Sequence, residues 1–220
     1  DMGPLTVWGE GRGFRVVWLL EELGLAYRLR DVDLRPGADS DPAFLAVNPG
    51  GFIPALQDGE TILVESIAIL EYLLARYGRG SALAPAAEDE SFALYQQFLH
   101  LGEAGLAGTM FFAAIPPRIA PDGQGDNWTS RWAATLFEGR RRLVARQLAR
   151  APYMAGDAFT AADISVTYAL DFARRVGGVA MSADEAAYVA RTSGRDGYRR
   201  AMRSCHATRG WVESLGEGPF

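Results

Sequence analysis

One stretch decides the fold of this chain: Asn48-Pro-Gly-Gly-Phe-Ile-Pro-Ala-Leu-Gln-Asp-Gly-Glu-Thr-Ile-Leu-Val-Glu-Ser66. Its pattern predicts a turn, a short strand, a hairpin turn at Asp58-Gly59, a second strand and a helix that begins at Glu65 and Ser66. The stretch therefore encodes a ββα unit, in which two antiparallel strands lead directly into a helix.

Two positions in this unit indicate a binding site as well as a fold. Pro54 has no N–H to donate to a sheet, so it belongs at a strand start or a sheet edge, and the Ile53 backbone stays free to pair with another group. Ser66 is a favourable N-cap residue, and a helix N-terminus presents unpaired N–H groups with a partial positive charge. A small carboxylate would be held well there.

The segment before the ββα unit has the pattern of a βαβ unit. Leu5 to Trp8 is of strand type, and a stripe of apolar residues from Phe14 to Leu23 predicts a helix capped by Gly24. Tyr27 to Leu34 predicts a second strand, parallel to the first. The glycine loop between strand and helix, Gly9 to Gly13, lacks the G-x-G-x-x-G spacing of a dinucleotide site. The first half is therefore predicted to be α/β.

The second half contains helical patterns, and none of its segments alternates convincingly like a strand. A glycine- and proline-bearing stretch at residues 80–86 predicts a linker. Long helical patterns follow from Glu88 to Phe112 and from Trp128 to Leu148. The predicted fold class is thus an α/β N-terminal domain, residues 1–79, followed by an all-α helical bundle, residues 87–220.

One helix start in the second half is sharply marked. Thr160 stands at the N-cap position and Asp163 follows three residues later, which matches a capping box with Asp in place of Glu or Gln. Phe159 and Ile164 are spaced to meet as a hydrophobic staple. These four residues predict helix nucleation rather than catalysis.

Composition argues against several functional classes. The chain has 220 residues, 49% hydrophobic and 22% charged, as in a globular protein with a substantial core. Charged residues, glycine or proline interrupt every apolar run before the roughly 18–20 residues of a membrane span, and the N-terminus lacks a secretory signal pattern. A cytoplasmic protein without membrane contact is therefore expected. The formal charge of −5 argues against a nucleic-acid partner.

Cysteine and histidine are too few for a disulfide or a typical metal centre. Cys205 is the only cysteine, and His100 and His206 are the only histidines. No intrachain disulfide can form, and no metal is expected. Adjacent residues seldom face each other on a helix, so Cys205 and His206 are expected to be inert rather than a nucleophile–base pair.

Four segments together resemble the cytosolic glutathione transferase family, and the resemblance covers nearly the whole chain. They are Phe14-Arg-Val-Val-Trp-Leu-Leu-Glu-Glu-Leu-Gly24, Asn48-Pro-Gly-Gly-Phe-Ile-Pro-Ala-Leu56, Val64-Glu-Ser-Ile-Ala-Ile-Leu-Glu-Tyr-Leu73 and Phe159-Thr-Ala-Ala-Asp-Ile164. A further segment, Phe98-Leu-His-Leu-Gly-Glu-Ala104, resembles the bacterial and fungal branch with a Trp-Leu-His-Tyr-Ala-Glu signature. The resemblance implies a thioredoxin-like first domain, an all-helical second domain, glutathione as co-substrate and a homodimer.

The resemblance also implies a glutathione site in the ββα unit. It implies a cis peptide at Pro54, with the Ile53 backbone pairing antiparallel with the cysteinyl part of glutathione. Ser66 would bind the γ-glutamyl carboxylate at the helix N-terminus, and Glu65 would form an ion pair with the γ-glutamyl ammonium group. Glu103 lies on the helix that in relatives faces the partner subunit, so it would reach the partner's glutathione. The alternative for Glu65 and Ser66 is a capped helix with an exposed glutamate.

The chain departs from the family where the thiol should be activated. Related bacterial sequences have Ser-Arg-Ser where this chain has Gly11-Arg12-Gly13, and no Tyr, Ser or Cys occurs between residues 7 and 26. The remaining candidates are the Arg12 guanidinium, which could stabilise a thiolate, and the backbone N–H groups of Gly11 and Gly13. Arg12 is the preferred candidate for stabilising the thiolate. The alternative is that Arg12 only orients the ligand or lies at the surface. Glu10 has the wrong charge, because a carboxylate near the sulfur disfavours the thiolate.

A second departure is Phe52, where relatives often have a polar residue near the glycyl carboxylate. Phe52 should weaken glutathione binding or shift that carboxylate to another basic group, for which Arg35 is a candidate. By family analogy the acceptor pocket lies between the domains, although aromatic residues at helical spacing are also typical of plain core. The candidate lining residues are Trp8, Phe111, Phe112 and Ile115.

The expected activity is that of a glutathione transferase, which adds the glutathione thiolate to an apolar electrophile. Two alternatives stay open. One is a glutathione-binding carrier or regulator with little or no transferase activity, which the missing serines favour. The other is a glutathione-dependent peroxidase, reductase or isomerase that uses the same site.

Overall fold

The computed structural model describes residues 5–32 and 41–209. The chain divides into two compact units. Of the described residues, the first unit contains those up to Arg79 and also residues 194–209, and the second contains Gly80–Ser193. The predicted fold class is confirmed: an α/β thioredoxin-like unit with a four-stranded sheet, and a helical unit.

The first unit is built on a sheet with the strand order β2-β1-β3-β4. Its strands are β1 (Leu5–Trp8), β2 (Tyr27–Arg30), β3 (Ala55–Asp58) and β4 (Thr61–Val64). β1 pairs parallel with β2 and antiparallel with β3, and β3 pairs antiparallel with β4. A parallel pair needs a crossover helix, whereas β3 and β4 are joined by a tight turn after Asp58, as predicted.

The described residues up to Arg79 also form helices in this unit. They are α1 (Gly13–Leu23), α2 (Pro42–Val47) and α3 (Ser66–Tyr77). The predicted apolar stripe is confirmed, because α1 is buried from its first residue to Leu20 and ends at Gly24 in the left-handed conformation, φ 66°. The strand predicted to run from Tyr27 to Leu34 ends at Arg30, and its last two predicted positions lie outside the described residues.

The sequence placed residues 87–220 in one helical domain, but the segment from Gly194 onward is grouped with the first unit. The reason is α10 (Asp196–Ser204), which packs on α1. A helical pattern shows that one face is apolar and does not show which surface covers it.

Side chains on α1 and α10 make this contact specific. The Tyr198 ring meets the Trp18 ring edge-to-face, with the centroids 4.9 Å apart and the planes at 84°. The Arg195 guanidinium donates two hydrogen bonds, both of 2.8 Å, to the Glu22 carboxylate. This bidentate pair fixes the orientation of α10 as well as its attachment.

The second unit is helical in its regular structure throughout the part described. Its helices are α4 (Phe92–His100), a π-helical segment (Leu101–Ala107), α5 (Gly108–Ala114), α6 (Pro116–Ile119), α7 (Trp128–Leu148), α8 (Ala161–Gly177) and α9 (Ala183–Ser193). The prediction of α7 is confirmed at both ends. The single helix predicted from Glu88 to Phe112 is wrong in detail, because it starts at Phe92 and changes to π-helical geometry in its middle.

The helical run Phe92–Ile119 has the length and apolar composition that would allow it to cross a membrane, with a mean hydropathy of 1.4 over its most apolar 18 residues. About two fifths of that window, 39%, is buried within the structure. Parts of the run pack on α7 and α8 in the second unit.

The capping box at the start of α8 is confirmed. The Thr160 backbone N–H donates to Asp163 Oδ2 at 2.9 Å, and the Thr160 hydroxyl accepts from Ala162 N–H. Asp163 is fully buried and its Oδ1 also accepts from Met154 N–H at 2.9 Å and from the Tyr188 hydroxyl at 2.8 Å. The carboxylate therefore joins α8 to a preceding loop and to α9, in addition to capping the helix.

Candidate functional site

The residue before Pro54 presents an open backbone edge. The cis peptide bond expected between Ile53 and Pro54 is confirmed, and β3 begins only at Ala55. Within residues 5–32 and 41–209, neither the N–H nor the carbonyl of Ile53 takes part in a hydrogen bond. The Ile53 backbone can therefore pair with an extended peptide, as the position of Pro54 predicted.

Asn48 shapes the turn that leads into this edge. Its side chain is buried, its Oδ1 accepts from Gly50 N–H at 3.0 Å, and its Nδ2 donates to the Phe52 carbonyl at 2.6 Å. These two bonds fix the chain immediately before Ile53. Sequence reasoning treated Asn48 only as a turn signal. The sequence did contain a sign of a larger role. Gly50 and Gly51 have no side chains that could hold the turn, so the Asn48 side chain is left to do so.

The glycine loop lies directly against the same edge. Gly9 has φ 88°, and a Cβ atom built on it would lie 2.6 Å from Ile53 Cβ. Only glycine permits both this backbone conformation and this close approach. The loop and the Ile53 backbone, which are far apart in sequence, therefore form one surface within the first unit.

The start of α3 differs by one residue from the prediction. Glu65 is the N-cap, without a side-chain capping hydrogen bond, and Ser66 is the first helical residue. The prediction that Ser66 is the N-cap is therefore wrong. Glu65 adopts φ 71° and ψ 112°, an uncommon conformation for a residue with a side chain. Such strain is often found at functional sites, and here it leaves Glu65 exposed while Ser66 is buried.

Arg15 is the charged residue that sequence reasoning missed. Its side chain is fully buried in α1, and its Nη1 donates to Ser66 Oγ at 3.3 Å. A helix N-terminus carries a partial positive charge, and the buried Arg15 adds a full positive charge beside it. Both charges attract an anion to Ser66. The available signal was an arginine inside an apolar stripe, flanked by Phe14 and Val16.

The loop that should activate a thiol offers fewer donors than expected. Arg12 is half-buried and is the N-cap of α1, with φ −61°. The Gly13 N–H already donates to the Glu10 carbonyl at 3.0 Å, so it is not available to a ligand. No bond from the Gly11 N–H occurs within the described part of the chain. Arg12 and the Gly11 amide are thus the candidates that the geometry retains.

Comparison with known proteins identifies the family. Residues 3–75 match the family model of the glutathione S-transferase N-terminal domain. The chain is 35% identical over 172 residues to glutathione S-transferase 3 of Zea mays, covering 74% of this chain and 75% of that protein. The chain belongs to the glutathione S-transferase family. It is also 31% identical to glutathione S-transferase GstB of Escherichia coli strain K12, over 74% of this chain and 79% of that protein.

Solved structures agree with this family membership. The chain resembles the theta class glutathione S-transferase of the citrus canker pathogen Xanthomonas axonopodis pv. citri with glutathione bound. The TM-score is 0.73 at 28% identity, covering 91% of this chain and 97% of that one. Glutathione transferase URE2P6 of Phanerochaete chrysosporium has a TM-score of 0.79 at 21% identity, covering 93% of this chain and 97% of that one, and supports the fold.

The remaining predicted site residues of this glutathione S-transferase lie in different surroundings. Trp8 is 7% exposed and packs against Phe44 and Ala55 in the core of the first unit, and its role in an acceptor pocket stays a prediction. Phe52 is exposed and directly precedes Ile53, the residue with the open backbone edge. The second unit carries the others: Phe111, Phe112 and Ile115, from α5 to its end, and Glu103, in the π-helical segment. The candidate Arg35 lies outside the described residues.

Cys205 is fully buried in this glutathione S-transferase. Burial raises the pKa of its thiol, and the nearby Glu10 carboxylate raises it further. A thiolate is therefore disfavoured at this position, in agreement with the expectation that Cys205 is inert.

The backbone of Glu65 gives a first testable prediction. Glu65→Ala keeps the strained backbone and loses the carboxylate, whereas Glu65→Gly loses the carboxylate and relieves the strain. The Gly variant should therefore unfold at higher urea concentration than the Ala variant, by about 1 kcal/mol in the free energy of unfolding. Both should bind glutathione more weakly than wild type. Equal stability of the two variants would show that the positive φ carries no cost.

Proposed function

We propose that this glutathione S-transferase binds glutathione and transfers its thiolate to an apolar electrophile. The observation that carries the proposal is the arrangement in the first unit: an unpaired Ile53 backbone, the N-terminus of α3, and the buried Arg15 with its Nη1 3.3 Å from Ser66 Oγ. Glutathione is an extended tripeptide with a carboxylate and an ammonium group at its γ-glutamyl end, so it has one group for each of these features.

The roles follow from the chemistry of each group. The Ile53 N–H and carbonyl pair with the cysteinyl backbone, as in strand addition to a sheet edge. The Ser66 hydroxyl and the α3 N-terminus hold the γ-glutamyl carboxylate, with Arg15 behind them as countercharge. The exposed Glu65 carboxylate forms an ion pair with the γ-glutamyl ammonium group. Phe52 offers no charge to the glycyl carboxylate, so the γ-glutamyl end supplies most of the electrostatic attraction.

Arg12 is proposed to favour the thiolate. The bound thiol releases its proton to water, and the guanidinium charge lowers the free energy of the sulfur anion that remains. The sulfur then forms a bond to the electrophilic carbon, and the electron pair of the broken bond leaves with the departing group or takes up a proton. The Gly11 N–H is a second donor for the same anion.

The ultraviolet absorbance of the thiolate tests this step. Titration of protein-bound glutathione should give a thiol pKa below that of free glutathione in wild type, and Arg12→Ala should raise it by about one unit, equivalent to about 1.4 kcal/mol. Arg28→Ala, which removes an exposed arginine of β2, is the matched control and should leave the titration unchanged.

Each other outcome has a definite meaning. A bound thiol that titrates in wild type as it does in free solution would refute the transfer mechanism. A pKa lowered equally in wild type and Arg12→Ala would assign the activation to the Gly11 amide and remove Arg12 from the mechanism.

The proposal extends to the assembly and setting of the enzyme. It includes a homodimer in which Glu103 reaches the glutathione of the partner subunit, an apolar acceptor held beside Phe111, Phe112 and Ile115, and a detoxifying role in the cytoplasm. It also places the chain in the bacterial and fungal branch of the family, on the segment Phe98 to Ala104.

One observation favours a second function. The loop from Gly9 to Gly13 carries no hydroxyl or thiol, the groups that usually activate glutathione in this family. A glutathione-binding carrier or regulator would need the Ile53 and Ser66 contacts and no activation, so it predicts an unshifted thiol pKa. A peroxidase, reductase or isomerase would share both the contacts and the lowered pKa, and product analysis separates it from a transferase.

A further inference from the structure

The side chain of Glu10 connects the glycine loop to the C-terminal segment. Its carboxylate is buried, 8% exposed for the residue, and accepts three hydrogen bonds. The donors are Ala207 N–H at 3.2 Å, Thr208 N–H at 2.7 Å and the Thr208 hydroxyl at 2.8 Å. Its carbonyl accepts from Gly13 N–H at 3.0 Å. Glu10 is thus bonded through its backbone to the start of α1 and through its side chain to residues nearly two hundred positions later.

The glycine loop needs such an attachment. Gly9 and Gly11 both have positive φ, 88° and 62°, and glycine has more conformational freedom to lose than any other residue. The first end of the loop is fixed, because Gly9 N–H donates to the Arg30 carbonyl at 2.8 Å. The other end carries Arg12 into α1. Glu10 lies between the two, and its three side-chain bonds restrain the middle of the loop.

The surroundings of Glu10 also explain why an acid is tolerated there. A carboxylate near a reacting sulfur would oppose the thiolate. Here both carboxylate oxygens face donors, with Oε1 accepting from Ala207 and Oε2 accepting twice from Thr208. Hydrogen bonds to a charged acceptor are stronger than neutral ones, so the negative charge is held at the C-terminal segment.

The geometry points to Glu10 as a positioning residue of the transferase reaction, which holds the Arg12-bearing loop in its active conformation by attaching it to Ala207 and Thr208. The inference rests on the proposed function. It goes further in assigning part of the thiol-activating machinery to the C-terminal segment, whose sequence shows no catalytic motif. The competing explanation is that Glu10 only docks this segment and contributes to stability.

Thiolate titration of bound glutathione, combined with steady-state kinetics, separates the two explanations. Glu10→Ala should raise the bound thiol pKa by about one unit, a roughly 10-fold change in the thiol–thiolate equilibrium, and lower kcat at least as strongly as it raises KM for glutathione. Thr208→Val removes one of the three donors and should shift the pKa in the same direction by less, and Thr208→Ser should restore it. The double variant Glu10→Ala with Thr208→Val should match Glu10→Ala alone, because the two residues act as one unit.

Glu22→Gln is the control for docking alone. The Glu22 carboxylate binds Arg195 and so also helps attach the C-terminal segment to α1, without touching the loop. This variant should lower the melting temperature and leave the bound thiol pKa at the wild-type value. If Glu10→Ala lowers the melting temperature and leaves the thiol pKa unchanged as well, Glu10 is only structural and the inference is wrong.

The wild-type measurement separates this inference from the proposed function. A wild-type thiol pKa equal to that of free glutathione would overturn both. A lowered wild-type pKa that survives Glu10→Ala would overturn only the positioning role of Glu10.

Discussion

Ser66→Ala is expected to abolish retention of the protein on immobilised glutathione. The Ser66 hydroxyl lies at the first residue of α3, is 2% exposed, and accepts from Arg15 Nη1. A hydrogen bond to a charged group contributes about 1.5–3 kcal/mol, so the Kd for glutathione should rise roughly 10- to 100-fold. The variant also leaves the buried Arg15 without this acceptor. Calorimetric titration with glutathione gives the change in Kd directly.

Ser91→Ala is the matched control for this substitution. Ser91 is also a serine at a helix start, the N-cap of α4, and it makes no side-chain capping bond there. Its replacement should leave both retention and Kd unchanged, and thermal melting of both variants checks that the fold is intact. An unchanged Kd for Ser66→Ala would mean that the γ-glutamyl carboxylate binds elsewhere.

Asp163→Asn is expected to lower the free energy of unfolding strongly. Each oxygen of the buried carboxylate faces a donor: Oδ1 faces Met154 N–H and the Tyr188 hydroxyl, and Oδ2 faces Thr160 N–H. The amide NH₂ of asparagine would replace one of these acceptors with a donor, so at least one buried donor loses its partner. The free energy of unfolding should fall by about 3 kcal/mol, measured by urea denaturation. Asp184→Asn, at an exposed position in the first turn of α9, should change it by less than about 1 kcal/mol.

The loss should depend on pH. Burial raises the pKa of Asp163 to about 6 from the ordinary value of 3.8, so between these values the folded protein binds more protons than the unfolded chain. The stability contributed by Asp163 is therefore fully present below about pH 4 and falls as the pH rises through about 6, by up to about 3 kcal/mol. Asparagine does not titrate. The difference between wild type and Asp163→Asn should thus be larger at pH 4 than at pH 7, and a constant difference would contradict the raised pKa.

The ββα unit could be predicted because its signals are local. Pro54 cannot donate to a sheet, Asp58-Gly59 favours a tight turn, and the apolar residues of the following helix have a clear period. The capping box from Thr160 to Asp163 is local in the same sense. The start of α3 was missed by one residue because Glu65 and Ser66 differ in backbone conformation, which a sequence pattern does not fix.

The roles of two residues could not be predicted because they depend on contacts distant in sequence. The role of Arg15 is set by Ser66, and the role of Glu10 is set by Ala207 and Thr208. An arginine in an apolar stripe, or a glutamate in a glycine loop, has no visible partner in sequence. The π-helical segment from Leu101 to Ala107 was missed for another reason: its hydrogen bonds span one residue more than those of an α-helix, and over so short a segment this changes the helical pattern very little.

Helix α10 belongs to the first unit although it follows the second unit in sequence. This determines which unit can fold completely first during synthesis. The ribosome delivers Gly80–Ser193, the whole second unit, before α10 emerges, so the unit that is made first is finished last. Until then Trp18 lacks the Tyr198 ring that covers it in the finished fold. The nascent chain therefore carries an uncovered aromatic surface while the entire second unit is made, and exposed apolar surface of this kind promotes aggregation.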